Sequence, residues 1–189
     1  MKTPRILVFG GSLRAASFNQ KIAAIAADGA RDAGAEVTVI ALRDFRLPVF
    51  DEDLETAEGM PEAARELKAL FASHDGLIIA SPEYNSGLSA ALKNAIDWVS
   101  RATSPDEPPL SVLRGKTAAI LAASPGGYGG ARGLLQLRPL LENIGVTVLP
   151  EQVTIAAAHQ AIDAQGRLQE PAQEAAVKGL GARLTHHLS

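Results

Sequence analysis

Four runs of unbroken apolar character recur along the chain: RILVF at 5–9, VTVIAL at 37–42, GLIIAS at 76–81 and TAAILAAS at 117–124. A weaker fifth, VTVL, stands at 146–149. None alternates apolar with polar residues, so none reads as a strand with one wet face; continuous runs suit a parallel sheet covered on both sides. Between the runs the pattern changes to that of a helix. Asn19 to Gly34 carries Ile22, Ile25 and Ala26 on one stripe, and Pro61 to Ser73 carries Ala64, Leu67, Leu70 and Phe71. Ser89 to Arg101 carries Leu92, Ile96 and Val99, and Ala131 to Asn143 carries Leu134, Leu137 and Leu141. A last helix starts at about Pro171. Strands that alternate with helices pair in parallel through right-handed crossovers, which makes the fold α/β and doubly wound. Five strands suggest the order 2-1-3-4-5 with helices on both faces. No repeat, low-complexity tract or linker divides residues 1–189, so a single domain is expected. Arg43 to Met60 and Ala102 to Lys116, with their prolines and acids, read as surface loops.

Composition narrows the class. A chain of 189 residues with 47% hydrophobic content can bury one core of ordinary size. A formal charge of −3 speaks against a nucleic-acid partner, which calls for a basic excess. The absence of cysteine removes disulfides, thiolate nucleophiles and cysteine metal sites. The opening MKTPRILVFGG has too short an apolar run for a secretory signal, and no segment approaches the ~20 apolar residues of a membrane helix. No membrane association and a cytoplasmic location are therefore expected.

Ligands of a doubly wound sheet bind at the carboxyl ends of its strands, so the loops after strands 1, 3 and 4 belong together. The first, GGSLRAASFN, offers the hydroxyls of Ser12 and Ser17 and the guanidinium of Arg14, with Asn19 where a helix N-cap is expected. Helix N-termini favour anions, and four donors within eight residues favour a phosphate over an ordinary Gly/Ser turn. No GxGxxG or GxxxxGK[ST] is present and no acid ends strand 2, so dinucleotide-fold and P-loop sites are not indicated. The second loop, SPEYNSGLS at 81–89, presents the flat face of Tyr84 and the amide of Asn85, which suit a heterocycle as well as an ordinary turn. The third, SPGGYGGARG at 124–133, holds five glycines that let a ligand approach the backbone closely, or simply make a pliant turn. Each loop alone is weak evidence; three on one sheet edge are not.

GSLRAASFN, PEYNSGLSAALKNAIDWVSR and SPGGYGGARGLLQLRPLLENIGV resemble the NADPH-dependent FMN reductase family, in its quinone and chromate reductase branch, over essentially the whole chain. The resemblance implies a flavodoxin-like fold and FMN as cofactor. It implies that Ser12, Arg14, Ser17 and Asn19 hold the FMN phosphate with Phe18 flanking. Pro82, Glu83, Tyr84 and Asn85 would line the isoalloxazine, and Ser124, Gly126 and Gly127 would edge the ribityl chain and ring. NADPH or NADH would reduce the flavin, and two electrons would pass to a small-molecule acceptor such as a quinone, free flavin, azo compound or metal oxyanion. Family members form dimers, often paired into tetramers, and a homodimer or homotetramer is expected here. The helix bearing Leu92, Ile96, Trp98 and Val99 adds to that expectation, since its apolar residues exceed one core stripe; Trp98 with Ile96 and Val99 reads as helix core or subunit contact rather than as part of a cofactor site. Arg101 would stand near the mouth of the flavin pocket and attract an anionic substrate, with a solvated helix-end arginine as the plain alternative; Tyr84 would also meet substrate. No general acid or base is named, because the cofactor carries the hydride chemistry. No metal site is expected, and His74, His159, His186 and His187 lie outside the three loops. The competing reading is a flavodoxin-like single-electron carrier, for which a charge of −3 is modest.

Overall fold

A computed structural model describes residues 2–189 and shows a five-stranded sheet. The elements run β1 (Arg5–Gly10), α1 (Phe18–Asp32), β2 (Glu36–Ala41), α2 (Glu52–Glu58), α3 (Glu62–Ser73), β3 (Gly76–Ala80) and the short pair β4 (Glu83–Tyr84) and β5 (Gly87–Leu88). Then follow α4 (Ala90–Ser100), β6 (Thr117–Ala123), α5 (Ala131–Asn143), β7 (Thr147–Ile155), α6 (Ala158–Ala161) and α7 (Pro171–Leu188). The sheet order is β2-β1-β3-β6-β7 and every neighbouring pair is parallel, the 2-1-3-4-5 arrangement once only sheet strands are counted.

Burial on both faces explains the unbroken apolar runs. Ile6, Val8, Ile78, Ala119 and Leu121 point into one core beneath α1 and α7, and Leu7, Phe9, Leu77, Ile79 and Ile120 into another beneath α3, α4 and α5. The α1 and α7 backbones touch: a Cβ on Gly29 would lie 2.0 Å from the Lys178 carbonyl oxygen, and one on Gly181 would lie 2.0 Å from that of Ala26. Only glycine permits this approach, which anchors the helix whose N-terminus faces the first loop.

Three expectations are corrected. The segment after β2 is not a plain loop, because Asp51 caps α2, its carboxylate accepting from the Asp53 N–H (2.9 Å) and the Leu54 N–H (3.4 Å). The weak fifth strand continues to Ile155, with a register irregularity against β6 between Ala118 and Ile120. Trp98 is fully buried within the chain: Phe50 meets its ring edge-on at 5.0 Å, Met60 and Ala64 pack beside it, and its indole N–H donates to the Pro48 carbonyl at 2.8 Å. The segment between β2 and α3 thus covers the second apolar stripe of α4, and that stripe no longer argues for a subunit contact. Among the described residues no helix is long and apolar enough to cross a membrane.

Candidate functional site

The three loops meet at the carboxyl edge of the sheet. In the first, Ser17 and not Asn19 is the N-cap of α1: its backbone is extended and its Oγ accepts from the Gln20 N–H at 3.3 Å. Ser12 Oγ likewise accepts from the Arg14 N–H at 3.3 Å. Both serines are buried, and each hydroxyl, having accepted, still has its own proton to donate. Arg14 is exposed, stands 6.0 Å from the Phe18 ring centroid and has no carboxylate partner among the described residues. An unpaired cation, two hydroxyl donors and the free N–H groups of a fifteen-residue helix thus stand together at this corner, the donor set that an anion calls for.

Asn19 has a different task. Its Nδ2 donates to the Ala123 carbonyl at 2.8 Å and its Oδ1 accepts from the Ala123 N–H at 2.9 Å. The amide is engaged in holding the end of β6 against α1, while the residue lines the same pocket as Ser12, Arg14 and Ser17. Gln20 braces the same corner, accepting from the Gly10 N–H and donating to the Ile40 carbonyl, both at 2.9 Å.

The second loop folds into the β4–β5 hairpin, with Asn85 (φ 51°) and Ser86 (φ 65°) both left-handed at its tip. That is the geometry of a two-residue I′ turn, which asparagine tolerates well. Glu83 is turned toward α5: its Oε1 accepts from Arg132 Nε at 2.9 Å and its Oε2 from the Gly133 N–H at 3.1 Å, at the positive end of that helix. This pins the hairpin and leaves Tyr84 half exposed beside the first loop. Ser89 caps α4 and also donates to the Gly11 carbonyl, joining loops one and two.

In the third loop Ser124 Oγ accepts from the Gly126 N–H at 3.2 Å. Gly130 (φ 89°) has no room for a side chain, since a Cβ would lie 2.7 Å from that of Ala122. Gly127, in contrast, has nothing within 4 Å of where a Cβ would point. Ser12, Arg14, Ser17, Phe18, Asn19, Pro82, Glu83, Tyr84 and Ser124 line one pocket of about 50 Å³. A cavity of about 360 Å³ adjoins it and shares Ser12, Arg14 and Tyr84. Asn85, Gly126 and Gly127 flank this cleft and do not line it.

Arg101 is not brought to the cleft within the chain. It follows α4, whose eleven residues span about 16 Å from the Ser89 end that borders the loops. Its Nε meets the two Glu55 carboxylate oxygens at 2.8 and 3.0 Å, and Glu52 lies at 3.4 Å. The Glu55 hydrogen bond raises its pKa above the ordinary arginine value and ties α2 to α4. Sequence reasoning missed the braces, Asn19 to Ala123 and Glu83 to Arg132, because their partners are 104 and 49 residues away.

The site offers hydroxyl, guanidinium and helix N–H donors at one end, with an aromatic face and an open glycine backbone nearby, which fits a phosphorylated flat ring system. The family model described as NADPH-dependent FMN reductase matches residues 4–160, a span that contains all three loops. An NAD(P)H-dependent FMN reductase of Pseudomonas aeruginosa is 39% identical over 165 residues, 87% of this chain and 84% of that protein. A quinone reductase of Escherichia coli K12 is 36% identical over 146 residues, 77% of this chain and 73% of the relative. The solved structure of FerB, a flavoenzyme NAD(P)H:(acceptor) oxidoreductase from Paracoccus denitrificans, superposes with a TM-score of 0.78 at 26% identity, covering 98% of this chain and 97% of that one.

Proposed function

The chain belongs to the NADPH-dependent FMN reductase family, and from that premise we propose that it passes two electrons from a reduced nicotinamide nucleotide to a quinone, with FMN held between the three loops. The observation that carries this reading is the convergence of Ser12, Arg14 and Ser17 at the N-terminus of α1 with Tyr84 across the cleft. FMN, when bound, supplies the hydride-accepting and electron-donating chemistry. The protein's part is to bind and orient. The Ser12 and Ser17 hydroxyls donate to the phosphate, Arg14 neutralises it, and the first N–H groups of α1 complete the shell. Tyr84 offers a face for a flat ring, and the bare backbone at Gly127 leaves room along the third loop. Glu83 and Asn19 act at one remove, the first by fixing the hairpin that carries Tyr84 and the second by fixing the start of the third loop.

A quinone is favoured as acceptor by the name of the Escherichia coli relative. Free flavin, azo compounds and metal oxyanions such as chromate are further acceptors to compare with it. A homodimer or homotetramer is proposed on the resemblance alone, and light scattering reads it directly. The test of the main reading is anaerobic titration of FMN-loaded protein with NADPH, followed by addition of a quinone. Bleaching of the flavin band by NADPH and its return with quinone are expected; bound flavin that both NADPH and NADH leave oxidised refutes the reading.

A further inference from the structure

A further cavity of about 310 Å³, lined by Leu13 of the first loop, opens against the segment that follows β2. Leu13 and Ala91 line both this cavity and the 360 Å³ one that contains Arg14 and Tyr84, so the two adjoin. Leu42, Phe45, Ala91 and Ala95 give the second cavity an apolar floor, and Arg43 and Arg46 line it as well.

Among the described residues four of the twelve arginines, Arg14, Arg43, Arg46 and Arg114, have no carboxylate within ion-pair distance, and Arg43 and Arg46 are the two of these that line this cavity. Arg5, Arg31, Arg65, Arg101, Arg132, Arg138, Arg167 and Arg183 each have a carboxylate within ion-pair distance. Arg43 and Arg46 have none among the described residues, although Asp44 lies between them in sequence and the chain as a whole is acidic. The segment that carries them is not loose. Pro48 accepts from Asn94 Nδ2 at 2.9 Å and from the Trp98 indole at 2.8 Å, and the Phe50 N–H donates to Asn94 Oδ1 at 2.8 Å. Exposed cations held on a pinned backbone over an apolar floor suit a ligand with a flat ring and a phosphate dianion. The FMN phosphate is already provided for by Ser12, Arg14 and Ser17, so this second cationic site calls for a second phosphate.

We propose that Arg43 and Arg46 receive the 2′-phosphate on the adenosine ribose of NADPH and thereby set the preference for NADPH over NADH. The inference rests on the reading that a reduced nicotinamide nucleotide is the reductant at the flavin site. The nicotinamide lies on the Tyr84 side of Leu13 and the adenosine in the 310 Å³ cavity. NADH, which ends in a bare ribose hydroxyl there, gains nothing from the two cations.

The experiment compares Arg43→Ala, Arg46→Ala, the double variant and the double lysine variant, all loaded with FMN, for the KM of NADPH and of NADH with a quinone acceptor. A calorimetric titration with adenosine 2′,5′-bisphosphate, and with 5′-AMP as control, reads the site without turnover. Each alanine substitution is expected to raise the NADPH KM about 10-fold relative to that of NADH, the double variant about 100-fold, and the lysine pair to recover part of the loss. Binding of the bisphosphate should weaken in parallel and that of 5′-AMP much less. A wild-type enzyme that turns over both nucleotides with equal KM overturns the inference and leaves the reductase reading intact. So does a double variant with an unchanged KM ratio, or one whose only altered KM is that of the acceptor. A wild-type protein that oxidises neither nucleotide overturns both.

Discussion

Replacing Asn19 with alanine separates two roles that the same residue could have. The side chain is buried and its amide satisfies both backbone groups of Ala123, which is itself buried. Removing it leaves one buried N–H and one buried C=O without partners, at about 1–3 kcal/mol each. Alanine is the better helix former by about 0.5 kcal/mol, which offsets a small part. The net loss is about 2–5 kcal/mol in the protein without flavin, or roughly 4–20 °C in Tm for a chain of this size. Asn19→Asp keeps an acceptor for the Ala123 N–H but sets a carboxylate against the Ala123 carbonyl, so it should be no milder. Because the displaced strand end carries Ser124 and the third loop, affinities for FMN and riboflavin should fall together. Thermal unfolding of apoprotein and quenching of flavin fluorescence measure the two effects. An unchanged apoprotein Tm with a loss of FMN affinity alone would show that Asn19 contacts the phosphate and that its role as a brace is wrong.

Arg14→Ala should weaken FMN binding roughly 10- to 150-fold, the equivalent of about 1.5–3 kcal/mol, and leave riboflavin binding nearly unchanged in the same fluorescence assay. Gly127→Ala should alter apoprotein stability by less than about 0.5 kcal/mol, because nothing lies within 4 Å of the added methyl, yet should lower FMN affinity. Gly130→Ala should cost apoprotein stability about 1–3 kcal/mol, from its φ of 89° and the contact with Ala122, as read by urea unfolding. Burial alone would raise the carboxyl groups of Asp75 and Glu107, but hydrogen bonds from Lys2 and the Arg5 N–H, and from Lys68, Ser111 and Thr103, hold both at about 2, below the ordinary 3.8 and 4.5. The unfolded chain therefore binds more protons through this range, and stability should be full above about pH 5 and lost progressively toward about pH 2. Asp75→Asn should flatten that decline in urea unfolding followed against pH.

The central strands were legible because a strand buried on both faces must be apolar at every position, as Leu77 to Ala80 are. The far half of β7 was not, since its Glu151, Gln152 and Thr154 are not buried and carry no continuous signal. α2, EDLETAE, shows no apolar stripe; its only marks are the Asp51 cap and Gly59 (φ 78°) just past its end. The three loops of the site were visible as composition, and their juxtaposition followed from the strand order. What local pattern could not supply was the use of each side chain. Both Ser17 and Asn19 suit a helix start, and only the position of Ala123 in space decides between them. Trp98 reads as helix core or subunit contact from its helix alone, and the choice stays open because the segment that covers it, with Phe50 and Met60, has no periodicity of its own.

The glycine-mediated contact between α1 and α7 also bears on how the chain is made. Thr185 on α7 donates to the Ala30 carbonyl of α1 across 155 residues. At a synthesis rate of about 5–20 residues per second, roughly 8–30 s separate the emergence of the two. Through that interval Ile22, Ala26 and Ala30 and the sheet face below them lack the helix that completes their cover. The anion site at the head of α1 thus belongs to an element that stays exposed to wrong partners until α7 arrives, and a nascent chain stalled before that helix should be held by chaperones and bind no flavin.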